Sequence, residues 1–160
     1  MNYHQIRSFA GLIYIGAKKD VSKPRKFFFF ARWIKIIDNL LYISGQLPIE
    51  SNGNIRKGKI GKNLTLEDGQ KASKLCVINI LSQAKKAVDG DLNKIKNCIK
   101  ITGFVNSTDD FTDQPKVINP ASEILSAVFG NKGKHARAAI SANSLPLGAA
   151  VEIDAIFEVN

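Results

Sequence analysis

The chain has 160 residues, 44% of them hydrophobic and 23% charged, a composition that indicates one globular domain and excludes a disordered or membrane-spanning protein. No stretch reaches the roughly 18 apolar residues that a membrane-spanning helix needs, and the N-terminus lacks the pattern of a signal peptide. We therefore expect a cytoplasmic protein with no membrane contact. The net charge of +9 comes mostly from scattered lysines, which indicates a weakly basic solvated surface rather than a nucleic-acid footprint, so RNA is only a weakly supported partner.

The first 32 residues show no clear periodicity and are assigned to the same single domain as residues 33–160. The aromatic run Phe27–Phe30 is interpreted as a buried strand or as part of a subunit interface. From residue 34, two β-rich runs flank Asp38-Asn39, which predicts a hairpin. The second run ends at Ser44-Gly45-Gln46, where Gly45 permits a bulge or a close backbone approach.

Two amphipathic segments predict helices. The first is predicted to begin after Thr65, whose hydroxyl can cap the amide three residues on, and to end near Val88, before Asp89-Gly90. The second is predicted to reach Phe129. Its start is either at Asn119, with Pro120 in the first turn, or near Pro115 with a bend at residue 119.

Three further strands complete the pattern. The strand between the helices is predicted to place Ile95, Ile99, Ile101 and Val105 on one face. The last two strands cover about residues 136–142 and 151–159, joined by a turn at Leu145-Pro146-Leu147-Gly148. The order ββαβαββ predicts an α+β fold, a mixed sheet with two helices on one face.

Metal and cofactor sites are not indicated by the sequence. Cys76 and Cys98 lie in separate apolar segments, without the spacing of a zinc site, and are predicted to be core residues. Since His4 and His135 are also far apart, we expect no metal and no cofactor. His135 precedes a strand, where its ring suits a hydrogen bond to a backbone carbonyl as well as a role on substrate.

Arg137 and Glu152 are the strongest candidates for chemistry. Each lies within a terminal strand among small or apolar residues, and they would lie opposite each other if those strands paired around residues 144–148. An arginine matches a carboxylate or phosphate with two parallel hydrogen bonds, and a glutamate beside it could orient water or move a proton. The alternative is an ordinary cross-strand ion pair.

Several of these residues together resemble the reactive-intermediate deaminase (Rid) family, also called YjgF-like or L-PSP endoribonuclease-like. The resemblance covers about residues 33–159 and rests mainly on His135-Ala136-Arg137, Leu145-Pro146 and Val151-Glu152-Ile153, supported by Ser44-Gly45-Gln46 and Gly103-Phe104-Val105-Asn106. The stretch from the second helix to His135-Ala136-Arg137 is similar to the branch labelled as endoribonucleases.

The resemblance implies a trimer of chorismate-mutase-like subunits, whose sheets form a central barrel with clefts between neighbours. It also implies that Arg137 binds a substrate carboxylate and that Glu152 positions a hydrolytic water, with Gly45, Asn119 and the position of Phe30 at the same cleft. Phe30 stands where the family's deaminases carry a tyrosine. Ala139 stands where a cysteine is common.

The implied function is therefore hydrolysis of enamine or imine intermediates, 2-imino acids, to 2-keto acids and ammonia. Two alternatives remain at this point. One is a noncatalytic trimer that binds small carboxylates, which the absent tyrosine and cysteine favour. The other is an endoribonuclease acting on single-stranded RNA, which the branch label and the net charge favour.

Overall fold

The computed structural model describes residues 33–160, so the aromatic run Phe27–Phe30 and the rest of the first 32 residues lie outside the described part. The elements, in chain order, are β1 (Ile34–Ile37), β2 (Leu40–Gln46), α1 (Leu66–Ala87), β3 (Ile95–Asn106), α2 (Gln114–Phe129), β4 (Ala136–Ala142) and β5 (Val151–Val159). This order confirms the predicted α+β fold. No helix within residues 33–160 is both long and apolar enough to cross a membrane.

The five strands form one mixed sheet in the order β1-β2-β5-β3-β4. Only β3 and β4 run parallel; the other neighbours are antiparallel. The last two strands therefore do not pair with each other, so the condition under which Arg137 and Glu152 would lie opposite each other is not met. β3 lies between β4 and β5, because the turn at residues 145–148 carries the chain over β3 instead of closing a hairpin.

The predicted hairpin at the other edge is confirmed. Ile37 pairs with Leu40, and Asp38 between them adopts φ 52°, a conformation that aspartate and asparagine tolerate better than most residues. The register between β2 and β5 shifts between Ile43 and Gln46. The predicted bulge around Gly45 is thus present.

The first helix begins and ends where the sequence predicts. The Thr65 hydroxyl accepts a hydrogen bond from the Asp68 amide, and the Asp68 carboxylate accepts one from the Thr65 amide, which satisfies two backbone donors at the helix start. After the C-cap Val88, Gly90 takes φ 89°, a conformation with no steric cost for glycine.

The alternation in β3 differs from the prediction. Register shifts interrupt its pairing with β5 between Ile95 and Asn97 and again between Cys98 and Lys100. As a result Cys98 is buried, whereas Ile99 is 41% exposed and does not belong to the core. The bulges restore the period-2 pattern from Ile101 onward.

The second helix begins at Gln114, with Pro115 in its first turn, and Gly130 ends it as predicted. Asn119 is therefore inside the helix and is not its N-cap, so the alternative start near Pro115 is the correct one. Pro120 lies within the helix and is buried. Because proline has no backbone N–H, one hydrogen bond of the helix is missing in the turn that precedes Pro120.

The core lies between the two helices and one face of the sheet. It is formed by apolar side chains from both helices and from β2, β3 and β5, among them Leu41, Ile80, Ile101, Leu125 and Phe157. Both cysteines are buried and unpaired, as predicted. In β5 the residues alternate strictly between buried and half-buried, so Glu152, Asp154 and Glu158 lie on the face that the helices do not cover.

Candidate functional site

Arg137 lies on β4, at the helix-covered side of the sheet. Its Cα partner on β3 is Ile101, which is fully buried beneath the helices. The guanidinium extends to α2, where Nη1 donates to Asn119 Oδ1 at 3.0 Å and to Ser122 Oγ at 3.1 Å. The structure thus brings Asn119 and Arg137 together, and the capping role suggested for Asn119 is wrong, because the helix begins at Gln114.

Ser122 was not singled out from the sequence, and it links Arg137 to His135. Its hydroxyl lies 3.0 Å from His135 Nε2, while His135 Nδ1 lies 2.6 Å from the backbone oxygen of Gly133. The predicted carbonyl partner of His135 is thus present. The signal for Ser122 was its spacing of three from Asn119, which puts both on one helix face only if the helix begins before Asn119.

Glu152 lies on β5, on the face without helices. Its Cα partner on β3 is Phe104, and its side chain lies against Gly45 of β2. A side chain at Gly45 would collide with the Glu152 carboxylate. Gly45 therefore provides the space that this carboxylate occupies, which is the close approach expected from the sequence.

The electrostatic surroundings of Glu152 favour its protonated form. Partial burial raises the pKa of the Glu152 carboxyl, and the nearby negative charge of Asp154 raises it further. On the other side of the sheet, burial together with the charge of Glu152 raises the pKa of the Cys76 thiol. The Glu152 carboxyl group is thus less acidic than an ordinary glutamate.

Within one chain, Arg137 and Glu152 do not meet. They are separated by β3 and lie on opposite faces of the sheet, because Arg137 is level with the buried Ile101 and Glu152 with the outward-facing Phe104. The prediction of a cross-strand pair is therefore wrong for a single subunit. Any chemistry that uses both residues needs two chains.

The remaining candidates are partly described. Phe30 lies outside the described residues. Ala139 is half-buried on β4 and packs against the core. Residues 33–160 contain no group of three or more histidine, cysteine, aspartate and glutamate side chains placed to hold a metal ion.

Comparison with known proteins assigns the chain to a family. Residues 31–158 match the model described as "YjgF/chorismate_mutase-like, putative endoribonuclease". The chain belongs to this family. Protein TCP17 of Trypanosoma cruzi is 44% identical over 121 residues, which cover 75% of each protein.

Solved structures agree with the assignment to the YjgF family. Protein Atu1372 of Agrobacterium tumefaciens, described as having unknown function, is 42% identical with a TM-score of 0.81, over 96% of this chain and 91% of that one. An endoribonuclease-like protein of Shewanella oneidensis is 25% identical with a TM-score of 0.81, over 99% and 100% of the two chains. TdcF of E. coli, solved with bound serine, shares the fold at 20% identity and a TM-score of 0.58, over 82% and 89%.

Proposed function

We propose that this YjgF-family protein hydrolyses reactive 2-imino acids, or their enamine tautomers, to 2-keto acids and ammonia in clefts between identical subunits. The arrangement of Arg137 carries the proposal. Only Nη1 is bound by α2, and within the described residues the edge formed by Nε and Nη2 has no protein partner. Two parallel N–H groups on that edge match the two oxygens of a carboxylate.

Glu152 supplies the proton transfers. The substrate reacts as its protonated imine: the Glu152 carboxylate takes a proton from a water as the water oxygen bonds to the imine carbon, which gives a neutral carbinolamine. Glu152 returns this proton to the nitrogen. As the C–N bond breaks, the carbinolamine hydroxyl gives its proton to the Glu152 carboxylate, which leaves the keto group and ammonia, and Glu152 then releases the proton to solvent. The raised pKa of Glu152 supports this role, because a carboxylate that is more basic than usual accepts a proton from water more readily.

Two chains are needed to bring these groups together, since they lie on opposite faces of one sheet. Several exposed features support assembly. Every residue of the edge strand β4 is at least partly exposed, and Ile37 and Ile140 are 52% and 47% exposed on the helix-free side. Such surfaces are typical of strands and sheet faces that a partner covers. We propose the trimer that the family resemblance implies.

Small-ligand binding has a precedent in the same fold. The E. coli protein TdcF was solved with serine, a molecule that carries a carboxylate beside a nitrogen-bearing carbon. A 2-imino acid has the same two groups. The proposed site of the present protein therefore combines a carboxylate-binding arginine with a proton-transferring glutamate for a ligand of this size.

The test is ammonia release from 2-iminopropionate generated in situ. Arg137→Ala should lower kcat/KM roughly 10- to 100-fold, because a charge-assisted carboxylate contact contributes about 1.5–3 kcal/mol. Lys86→Ala, which removes an exposed cation from the last turn of α1, is the control for net charge and should leave the rate unchanged.

Other results would redirect the assignment. Wild-type rates equal to the uncatalysed background, with keto-acid binding that Arg137→Ala abolishes, would establish a noncatalytic carboxylate-binding protein. Cleavage of single-stranded RNA that survives repurification and weakens steeply with salt would establish a ribonuclease instead.

A further inference from the structure

His135 has a defined orientation in the structure. Its Nδ1 lies 2.6 Å from the Gly133 carbonyl oxygen, and since a carbonyl oxygen can only accept, Nδ1 carries a proton. In the neutral ring Nε2 is then an acceptor, so the Ser122 hydroxyl 3.0 Å away donates to it. The ring therefore fixes the direction of the Ser122 hydroxyl proton.

The carbonyl that orients His135 is itself held in place. Gly133 is buried, and a Cβ at this residue would come within 2.7 Å of the Leu125 carbonyl carbon and 2.9 Å of Ser126 Cα. The backbone after α2 thus packs directly on the last turns of that helix. His135 is bonded at one nitrogen to a rigid backbone group and at the other to the helix.

With its proton directed at His135, the Ser122 oxygen presents a lone pair to Arg137 Nη1 at 3.1 Å. Asn119 Oδ1 accepts the second Nη1 proton at 3.0 Å. Both protons of Nη1 are therefore used, and the plane of an otherwise exposed guanidinium is fixed. The remaining edge, Nε with Nη2, makes no hydrogen bond to the described residues and is left for a ligand.

We propose that Ser122 and His135 are positioning residues that act through Arg137, orienting its Nε–Nη2 edge before a carboxylate arrives. An unrestrained arginine side chain loses about 2 kcal/mol of rotamer freedom when it is fixed, and a network formed in the free protein removes part of that cost from binding. That the ligand is a carboxylate rests on the proposed function, whereas the positioning of Arg137 by Ser122 and His135 does not.

A double-mutant cycle tests whether Ser122 acts through Arg137. Pyruvate, the keto acid formed from 2-iminopropionate, is the probe, and its Kd is measured by calorimetry. We expect Ser122→Ala and His135→Ala each to weaken binding about 5- to 20-fold, with no further weakening when either is added to Arg137→Ala. Ser126→Ala, at an exposed serine of the same helix, should bind like wild type.

A second measurement does not depend on any ligand. Nitrogen-15 NMR of the arginine side chains reports rotation of the guanidinium about its Nε–Cζ bond. We expect slow rotation for Arg137 in the wild-type protein and in Ser126→Ala, and faster rotation in Ser122→Ala and His135→Ala. Equally fast rotation in all four proteins would overturn the inference.

The two proposals fail in different ways. If Arg137→Ala binds pyruvate as tightly as wild type, the carboxylate-binding role of Arg137 is wrong, and the rotation rates still decide whether Ser122 and His135 hold it. If Arg137→Ala abolishes binding while Ser122→Ala binds normally, the positioning role is wrong and the proposed function stands.

Discussion

At the scale of a single residue, the ionised Glu152 carboxylate is less favourable in the folded protein than in the unfolded chain. Partial burial and the charge of Asp154 both raise the pKa of its carboxyl group. Between its ordinary pKa and the raised value, the folded protein therefore holds more protons than the unfolded chain. The contribution of the protonated Glu152 carboxyl group to the unfolding free energy is present at pH values below its ordinary pKa. This contribution is lost as the pH rises through the raised pKa.

Glu152→Gln removes the ionisation and should separate stability from activity. We expect deamination to fall at least about 100-fold, because proton transfer by a placed side chain contributes 10²–10⁴-fold. We expect the unfolding free energy to increase at pH 7 by less than about 1 kcal/mol, since solvent screens a half-buried group. The gain should vanish near pH 4.

The measurements for Glu152→Gln are ammonia release and urea denaturation at several pH values. Glu158→Gln is the matched control and should retain activity. Glu158 lies on the same face of β5 as Glu152 and accepts a hydrogen bond from Asn97. A Glu152→Gln protein that is less stable than wild type at pH 7 would contradict the assigned cause of the pKa shift.

Predictions about single residues succeeded where they depended only on neighbouring residues in the chain. Gly45 was expected at a bulge or close approach, which a glycine permits. In the structure the Glu152 carboxylate occupies the space that a side chain at this position would need. Ser122 was missed because its partners, His135 and Arg137, follow 13 and 15 residues later. Its spacing of three from Asn119 was informative only once the helix was known to begin before Asn119.

At the scale of elements, the packing of α2 on the sheet depends on one glycine of β3. A Cβ at Gly103 would come within 2.6 Å of the Cγ1 and Cδ1 atoms of Ile118, which is fully buried in α2. The helix that supports Arg137 can therefore approach β3 only because this position has no side chain.

Gly103→Ala should destabilise the protein by about 1–3 kcal/mol, the usual cost of an added group in a well-packed core. Urea denaturation measures the change. Thr102→Ala, at the adjacent half-exposed residue of β3, is the control and should cost less than about 1 kcal/mol. An unchanged midpoint in Gly103→Ala would mean that Ile118 has free space to move.

Three of the four ends of the two α-helices were predictable, because caps and periodicity act within a few residues of each other, whereas the start of the second was left open between Asn119 and Pro115. Thr65, Gly90 and Gly130 mark helix ends by their own chemistry. The two bulges of β3 were not predictable, because they arise from pairing with β5, more than 50 residues later in the chain. They bury Cys98 and expose Ile99, the reverse of simple alternation from Ile95.

At the scale of the whole molecule, the separation of Arg137 and Glu152 makes a direct prediction about assembly. In the proposed trimer each cleft takes the arginine from one subunit and the glutamate from its neighbour. Coexpression of Arg137→Ala and Glu152→Gln chains should then restore about a quarter of wild-type activity, since random mixing gives one intact pairing in four.

Mass by light scattering checks the oligomer, and ammonia release from the coexpressed mixture checks the shared cleft. Each variant expressed alone is the control and should stay near background. A monomeric mass would contradict the assembly. A trimer whose mixture shows no recovery would mean that the two residues do not share a cleft.

The sequence alone determined the element order, both ends of the first helix and the end of the second, the buried cysteines and the membership of the YjgF family, because these follow from local periodicity, capping chemistry and short motifs. Only the tertiary structure decided which strands are neighbours, which face each side chain occupies and which partners hold Arg137. The strand order is β1-β2-β5-β3-β4, and it depends on how two helices pack on a single face of the sheet. This packing buries apolar area between segments that are distant in the sequence, so no single segment of the chain specifies it.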